Sequence, residues 1–301
     1  MNSQIKHILS VAGLVGFVFL IQYIDSHFNL PGADVIRQFT FRHRHLSPSF
    51  AYVVMLTFGF FITRFIILNI GVKLFLIVTY KPCRKVSSNK ALPNNLVKKM
   101  SIGGIFAEQQ LMTSNSLQTG VPKFIIKGVL KKDWKILNRE TALESIRFLK
   151  DMKHSGSFEN ALNLYKGKIN ADSLSKGELN SANEWLSDLN CCAKDLIIKY
   201  AYTESDFSKG IVPWDMGRLI GVSRMCYDCQ YISREETIGN IEYAYEQCSG
   251  RYNSWEEIRK AYILGRVIWQ GDVMALEAVN TFVKRMETSV QSPWKEFSFN
   301  Y

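Results

Sequence analysis

The residues best suited to chemistry lie in one stretch, from Pro213 to Gly271. It contains PWDMGR at 213–218, SREE at 233–236 and SWEEIRKAYILGRVIWQG at 254–271. Asp215 near a helix start is stabilised by the helix dipole, and Arg218, three residues on, lies on the same face. Such a pair in a cleft can bind phosphate or serve in acid and base chemistry, whereas a buried pair is structural. The local sequence leaves both interpretations open.

A further arginine lies among aromatic residues on a helix that begins after Ser254. At about 100° per residue, the side chains that share roughly one third of this helix's circumference are Trp255, Ile258, Tyr262, Gly265, Arg266 and Trp269. In a structural role Arg266 stacks on a ring or pairs with a buried carboxylate, the rings are core residues, and Gly265 permits close helix approach. In a functional role Arg266 presents its guanidinium to an anionic ligand.

These patterns define two candidate groups. The candidate polar site comprises Asp215, Arg218, Arg224, Arg266 and His154. The candidate aromatic framework comprises Trp214, Trp255, Tyr262 and Trp269. His154 is the only histidine after His45, which excludes schemes that need two histidines beyond residue 45. No G-x-S-x-G nucleophile elbow and no glycine-rich phosphate loop is present. We expect no metal and no cofactor, and the catalytic residues, if any, stay unassigned.

Cys226 and Cys229 form a CxxC sequence, which is a common metal or redox motif. Both share the helical phase of Leu219 and Val222 and lie near a predicted helix C-terminus. A redox pair belongs at a helix N-terminus, where the thiolate is stabilised. We therefore predict small buried thiols, with a zinc site as the alternative if other cysteines supply ligands.

The periodicity predicts a mostly helical chain. Asn138 is a predicted N-cap, a long helix is expected over 178–202, and two capping boxes, Ser233 with Glu236 and Ser254 with Glu257, begin helices. A further helix after Asp272 is expected to bury Leu276, Val279, Phe282 or Val283, and Met286. Residues 124–130 are predicted to be one short strand or a buried loop.

Charge and hydropathy divide the chain. Residues 1–100 hold twelve of the 37 Lys and Arg residues but only two of the 27 acids, so the whole net charge of +10 lies there. Two apolar stretches, about 8–24 and within 50–80, predict a transmembrane hairpin over 1–81. The second stretch contains Arg64, which is expected to mark a functional contact or to snorkel.

The flanking charges orient this hairpin. Basic residues follow the second stretch, so the positive-inside bias places the C-terminal part in the cytoplasm. Residues 82–100 are predicted to form a basic linker and residues 101–301 an all-helical cytoplasmic bundle with its motifs at 213–271. The lipid bilayer is thus an expected partner. Nucleic acid is not, because the basic excess lies outside the predicted folded domain.

The ordered motifs resemble a known family. WDMGR at 214–218, Ser223 with Arg224, YISREE from Tyr231, and the SWEE to GR to W pattern ending at Trp269 are similar to the YbeU/YbeR-like bacterial family, domain of unknown function 1266. The W-x-I-x-N-R-E pattern from 134 and His154 resemble its earlier block, so the likeness covers roughly 134–271. The chain departs at Gln230, where a glycine commonly precedes the Tyr-Ile pair, and in its N-terminal apolar region. The resemblance implies a helical cytoplasmic module and says nothing about catalysis.

Three functions are compatible with these observations. The leading hypothesis is a membrane-anchored helical interaction or scaffold module with a protein partner at the bacterial inner membrane. The alternative is a membrane-tethered enzyme or anionic-ligand receptor that uses the Asp and Arg cluster. A further alternative is an immunity or effector protein in competition between bacteria. The enzyme and the scaffold differ in whether the charged groups reach solvent.

Overall fold

The computed structural model describes residues 59–60, 80–271 and 274–299. Contacts divide the chain into units 1–79 and 80–301. The described helices of the second unit are α1 Asn94–Met100, α2 Gly104–Gln109, α3 Lys123–Trp134, α4 Arg139–Lys150, α5 Lys153–Tyr165, α6 Lys176–Tyr200, α7 Glu204–Ser208, α8 Val212–Asp228, α9 Arg234–Ser249, α10 Trp255–Gln270, α11 Met274–Thr288 and α12 Pro293–Glu296. Short 3-10 turns occupy Ser88–Lys90, Ser101–Gly103 and Ala171–Ser173, and the described residues form no strand. The mostly helical class is confirmed for this part of the chain.

The predicted transmembrane hairpin lies outside the described residues, apart from residues 59 and 60. Within the described part, no helix combines the length and the apolar content that crossing a membrane requires. The spans at 8–24 and within 50–80 therefore stay predictions.

Helix α8 is at the centre of the second unit. Every residue from Val212 to Cys226 is buried, and the helix packs against α2, α3, α4, α5, α9 and α10. A helix enclosed on all sides has no solvent face for polar side chains. The buried polar side chains of α8 are Asp215, Arg218, Ser223 and Arg224. Each of them must be satisfied by protein groups.

Close approach of α8 to its neighbours is tightest at two glycines. A Cβ at Gly221 would overlap the ring of Phe106 on α2, and one at Gly265 of α10 would lie 2.5 Å from the Cβ of Trp214. Neither space admits a larger side chain without movement of an aromatic residue. The predicted role of Gly265 in close helix packing is confirmed.

Helix starts follow the predicted caps with one difference. The caps at Asn138 and Ser233 are reciprocal capping boxes. Ser254 accepts a bond from the backbone of Glu257, but the Glu257 carboxylate accepts from the backbone N–H of Asn253 at 2.9 Å. The box at Ser254 is thus one-sided, because the returning carboxylate bonds one residue earlier.

Residues 124–130 lie within helix α3, so the strand or loop prediction is wrong. Ile126 and Leu130, four residues apart, are the buried side chains of this helix. Their spacing is helical. Phe124, two residues before Ile126, is apolar but exposed, so the apolar residues of this segment do not follow one helical face in the sequence.

The folded unit begins at Tyr80 and includes residues 82–100, for which the sequence predicts a linker. Cys83 is fully buried, and Asn115 bonds both the N–H and the carbonyl of Val86. Val97 and Met100 of α1 are also core residues. The Pro, Ser and Asn content of this segment marks turns that pack on the domain and not a free connection.

Gln230 has a positive φ of 63°, in the left-handed region that favours glycine. It follows the C-terminus of α8 and precedes Tyr231. The glycine that the sequence resemblance leads us to expect before the Tyr-Ile pair would adopt this φ without strain. Gln230 adopts the same turn at a conformational cost.

Candidate functional site

The N-terminal half of α8 carries the PWDMGR motif into the core. Pro213 occupies the first turn, where its missing N–H leaves no helical bond unmade. Asp215 is fully buried and Arg218, one turn later, is nearly so. Their spacing lets Arg218 Nη2 reach Asp215 Oδ1 at 2.5 Å. The predicted ion pair is therefore Asp215 with Arg218 and not with Arg266.

Both carboxylate oxygens of Asp215 have hydrogen-bond partners within the protein. Oδ1 receives Arg218 and lies 3.2 Å from His154 Nδ1, while Oδ2 accepts from the backbone N–H of Ser155 at 2.9 Å and from its Oγ at 2.7 Å. Met152, the N-cap of α5, has no side-chain capping bond. Asp215 therefore supplies from α8 the acceptor that the first turn of α5 lacks, and it adds negative charge where the helix dipole favours it.

The charged state of Asp215 follows from these contacts. Burial alone would raise the pKa of this carboxyl, but its bond with His154, the positive charge of Arg218 and the bond from Ser155 together hold the pKa below its ordinary value. Asp215 is thus a buried carboxylate whose charge is balanced inside the protein.

Arg218 is held on three sides. Its Nε donates to the carbonyl of Trp214 at 3.1 Å, and its guanidinium carbon lies 4.1 Å from the centroid of the Trp214 ring. Nη2 is also 3.0 Å from His154 Nδ1. Depending on its tautomer, that ring nitrogen accepts from Arg218 or donates to Asp215. The His154 ring packs edge-on against Phe148, and the His154 side chain is 19% exposed.

Arg224 lies away from this cluster. Its guanidinium is fully buried and donates to the carbonyls of Thr113 at 2.7 Å, Ser116 at 2.8 Å and Leu117 at 3.3 Å. Burial lowers the pKa of Arg224 to about 10. This arginine holds the loop after α2 in place, and the structure does not bring it together with Asp215.

Arg266 lies on the solvent side of the same region. Its guanidinium carbon is 5.1 Å from the Trp269 ring centroid and 5.8 Å from that of Trp214. Among the described residues, no carboxylate lies within salt-bridge distance of it. Burial lowers the pKa of Arg266, and the side chain is partly exposed. Arg266 and His154 are the two members of the predicted polar site that are partly exposed.

The predicted aromatic framework separates into two places. Trp214 and Tyr262 are buried with ring centroids 5.2 Å apart, and Trp269 is 6.1 Å from Trp214 but 49% exposed. Trp255 stacks instead on Trp294 at 5.3 Å. Trp255 and Trp269 lie about 21 Å apart along α10, since each residue advances about 1.5 Å. A shared helical phase therefore does not place them in one cluster, and Trp269 is a surface residue.

The cysteine pair at the end of α8 is buried, as the helical phase predicts. Burial raises the pKa of Cys226 to about 12, which is opposite to the shift that a reactive thiolate requires. Within the described residues, no group of three or more His, Cys, Asp or Glu side chains could hold a metal ion.

A second buried polar cluster escapes the sequence prediction. Glu108 of α2 is 2% exposed, and its Oε1 accepts from the Tyr80 hydroxyl at 2.7 Å and from the Cys83 backbone N–H at 2.8 Å. Oε2 is buried with no hydrogen-bond partner among the described residues. An acid inside the apolar sequence IGGIFAEQQLM was the only available signal.

Comparison with models of known protein families shows which family the chain belongs to. The family model described as protein of unknown function (DUF1266) matches residues 129–299. The chain belongs to the DUF1266 family. The matched region includes His154, Asp215, Arg218 and Arg266, but not Glu108. The family resemblance is thus confirmed over a longer range than 134–271, and the YbeU/YbeR likeness stays a prediction.

No curated protein matches the chain. No solved structure matches it either. The DUF1266 family carries no stated activity, so function must be argued from the site.

Proposed function

We propose that this DUF1266 protein is a helical interaction module held at the bacterial inner membrane, with its C-terminal domain in the cytoplasm. One observation carries the interaction role: both oxygens of the buried Asp215 are already bonded within the protein. A carboxylate with no free oxygen and no exposure cannot take a proton from a substrate without rearrangement. The polar cluster therefore holds helices together and leaves recognition to the surface.

Anchoring is supported by the sequence. The two apolar stretches within 1–80 and the net charge of +10 confined to residues 1–100 fit a membrane hairpin with basic flanks. The second unit, which carries the family match over 129–299, is then displayed on the cytoplasmic side. The enzyme or receptor alternative is less well supported, since Asp215, Arg218 and Arg224 are all buried.

Fractionation tests the anchoring. The full chain should sediment with membranes, resist a carbonate wash and be released by detergent. The double change Leu14→Asp with Leu56→Asp should abolish sedimentation, because a carboxylate near the centre of a span costs about 2.5–3.5 kcal/mol on insertion scales. The control Leu137→Asp alters a leucine that is 58% exposed and should leave sedimentation unchanged. Recovery of the unaltered chain in the soluble fraction without detergent would contradict the proposal.

A fluorescent protein fused after Tyr301 tests orientation. Green fluorescent protein matures in the cytoplasm and not after Sec-dependent export, so the fusion should fluoresce at the membrane. A membrane-bound but dark fusion would reverse the assigned orientation without affecting the anchoring.

A further inference from the structure

We infer that Arg266 and Trp269 of α10, together with the Trp214 indole beneath them, form a docking point for a carboxylate side chain of a protein partner. These three residues are called the Arg266 surface below. The inference rests on the proposed interaction role and names the chemistry of the partner group.

The first observation is an uncompensated cation. Arg259, on the same helix, pairs with Glu256 and lies 3.2 Å from Glu287. Arg218 is balanced by Asp215. Arg266 has no carboxylate at salt-bridge distance among the described residues, although it is half-buried. A partly desolvated charge without a counterion is costly, so an incoming carboxylate gains more here than at a fully exposed arginine.

The second observation is the position of the rings. The guanidinium carbon of Arg266 lies 5.1 Å and 5.8 Å from the ring centroids of Trp269 and Trp214. Contacts of this kind restrain the side chain through its cation and ring interactions. The five N–H donors of a guanidinium lie in its plane and match a carboxylate with two parallel bonds. A guanidinium whose side chain is already restrained loses less conformational entropy when it binds a carboxylate.

The third observation is a buried donor without an acceptor. Trp214 is 4% exposed, and its Nε1 has no hydrogen-bond partner among the described residues. Cδ1, the atom bonded to Nε1, would lie 2.9 Å from a Cβ at Gly265, so this edge of the indole faces α10 next to Arg266. Buried N–H groups normally have an acceptor. Because Nε1 is itself buried, a carboxylate docked at Arg266 acts on this donor through its charge and not as a direct hydrogen-bond acceptor.

Charge favours a carboxylate over a phosphate. Two arginines lie near the Trp214 ring, and Asp215 neutralises the charge of Arg218. Arg266 is therefore the single positive charge of this surface without a counterion among the described residues. Asp188 of α6 lies beside the end of α10, with Oδ1 3.0 Å from a Cβ at Gly271, and Glu184 is near enough to raise its pKa further, after burial. These acids disfavour a dianionic group. Residues 101–301 carry equal numbers of basic and acidic residues, which gives no general attraction to an anionic lipid surface.

The exposed ring indicates what accompanies the carboxylate. Trp269 is 49% exposed and lies next to Arg266. Tryptophan and arginine are the residues most often found at the energetic centre of protein interfaces. The partner segment is therefore expected to place an aromatic or aliphatic side chain on Trp269 beside its acidic residue.

A binding assay with a defined acidic and aromatic probe tests this inference. Fluorescein-labelled poly(Glu,Tyr) is titrated with the full chain in detergent at physiological salt, and anisotropy is measured. We expect saturable binding that Arg266→Gln weakens by at least about tenfold, the scale of an interface hot spot. Trp269→Ala should weaken it similarly, and since that ring is half exposed this variant should stay folded. Arg266→Lys should also lose affinity, because lysine keeps the charge but not the planar fork.

The matched control is Arg234→Gln, which makes the same change in net charge at an exposed arginine of α9. It should bind the probe as the unaltered chain does. Equal affinities of Arg266→Gln and Arg234→Gln would overturn the inference, since binding would then follow net charge alone. Displacement of the probe by inorganic phosphate or by phosphatidylglycerol vesicles, but not by polyglutamate, would overturn the choice of a carboxylate.

The indole N–H of Trp214 gives a second readout. Its ¹H–¹⁵N signal, assigned with Trp214→Phe, should shift when the probe is added, because the ring lies 5.8 Å from the Arg266 guanidinium carbon, where the bound carboxylate changes the local field. An unmoved Trp214 signal at saturation would overturn the placement of the carboxylate at Arg266.

Failure of docking is separable from failure of anchoring. Arg266→Gln should still sediment with membranes. An unaltered chain that sediments but does not bind the probe refutes only the docking point, and an unaltered chain that binds the probe but stays soluble refutes only the anchor.

Discussion

At the scale of single residues, Asp215 joins two helices by serving as counterion to Arg218 and as the missing cap of α5. The same carboxylate contacts His154, so three family motif residues meet at one buried point. A group that satisfies several buried donors is costly to remove, because each donor loses its partner at once.

Replacing Asp215 with Ala should destabilise the domain by about 3–5 kcal/mol, since Arg218 would be left as a buried unpaired charge. Urea unfolding of the full chain in detergent, followed by circular dichroism, measures this. Asp195→Ala removes an exposed pair with Lys199 and should cost about 0.5 kcal/mol or less. An unchanged midpoint for Asp215→Ala would show that the residue serves a site and not the scaffold.

Glu108 should give the domain a stability that falls as pH rises. Burial raises the pKa of this carboxyl above its ordinary value, so the folded state holds the proton more tightly than the unfolded state. Its contribution is fully present below the unfolded pKa of about 4.3 and is lost as pH rises through the folded pKa. Glu108→Gln keeps an acceptor for Tyr80 and Cys83 and should remove this decline.

Unfolding free energies at several pH values above 4 test the Glu108 prediction. The difference between Glu108→Gln and the unaltered chain should grow with pH and then level off. Asp215 acts in the opposite direction, because its lowered pKa means that stability is lost at acid pH. A difference that does not vary with pH would contradict the assignment.

At the scale of elements, α8 is enclosed because small residues let its neighbours approach. Gly221 accommodates Phe106 of α2, and Gly265 of α10 accommodates Trp214. The approach of α10 at Gly265 also sets the position of Arg266 beside Trp214. Helix packing and the Arg266 surface therefore depend on the same glycine.

Gly265→Ala should cost about 1–3 kcal/mol, the usual range for overpacking, although alanine is the better helix former. Gly239→Ala on α9 is the matched control, because nothing lies within 4 Å of its added Cβ. The control should stabilise the domain by up to about 1 kcal/mol. Thermal unfolding of both variants measures the contrast, and a stabilising Gly265→Ala would show that Trp214 can move away freely.

At the scale of the whole molecule, the folded unit extends back to Tyr80, well before the boundary that composition suggests. Tyr80 and Cys83 bind Glu108, and Lys85 pairs with Glu296 near the other end of the chain. The start of the unit is thus bound to α2 by hydrogen bonds and to α12 by an ion pair.

A fragment of residues 80–301 should fold cooperatively, whereas one of residues 101–301 should aggregate or melt at a lower temperature. The shorter fragment lacks the buried residues Cys83, Val97 and Met100, and it leaves Glu108 without its two donors. Size-exclusion chromatography and thermal unfolding distinguish the two. Equal melting temperatures would show that residues 80–100 add nothing to the core.

The sequence alone determined the helical class, the starts of the helices with recognisable caps and the burial of Cys226 and Cys229, because these depend on spacing and capping within one element. Asn138 and Ser233 identify their helices through bonds to residues three positions away. The family relationship also follows from ordered motifs. The pairing of Asp215 with Arg218 was available as an i,i+3 contact, but its partners on α5 were not.

Tertiary structure decided which charged groups reach solvent. Arg218, Arg224 and Arg266 look alike in sequence, yet one is neutralised by Asp215, one bonds carbonyls of a distant loop, and one lies at the surface. Their environments are set by helices that lie far apart in the chain, and no local pattern encodes those distances. The same reason explains why Glu108 and the early start of the folded unit were not foreseen.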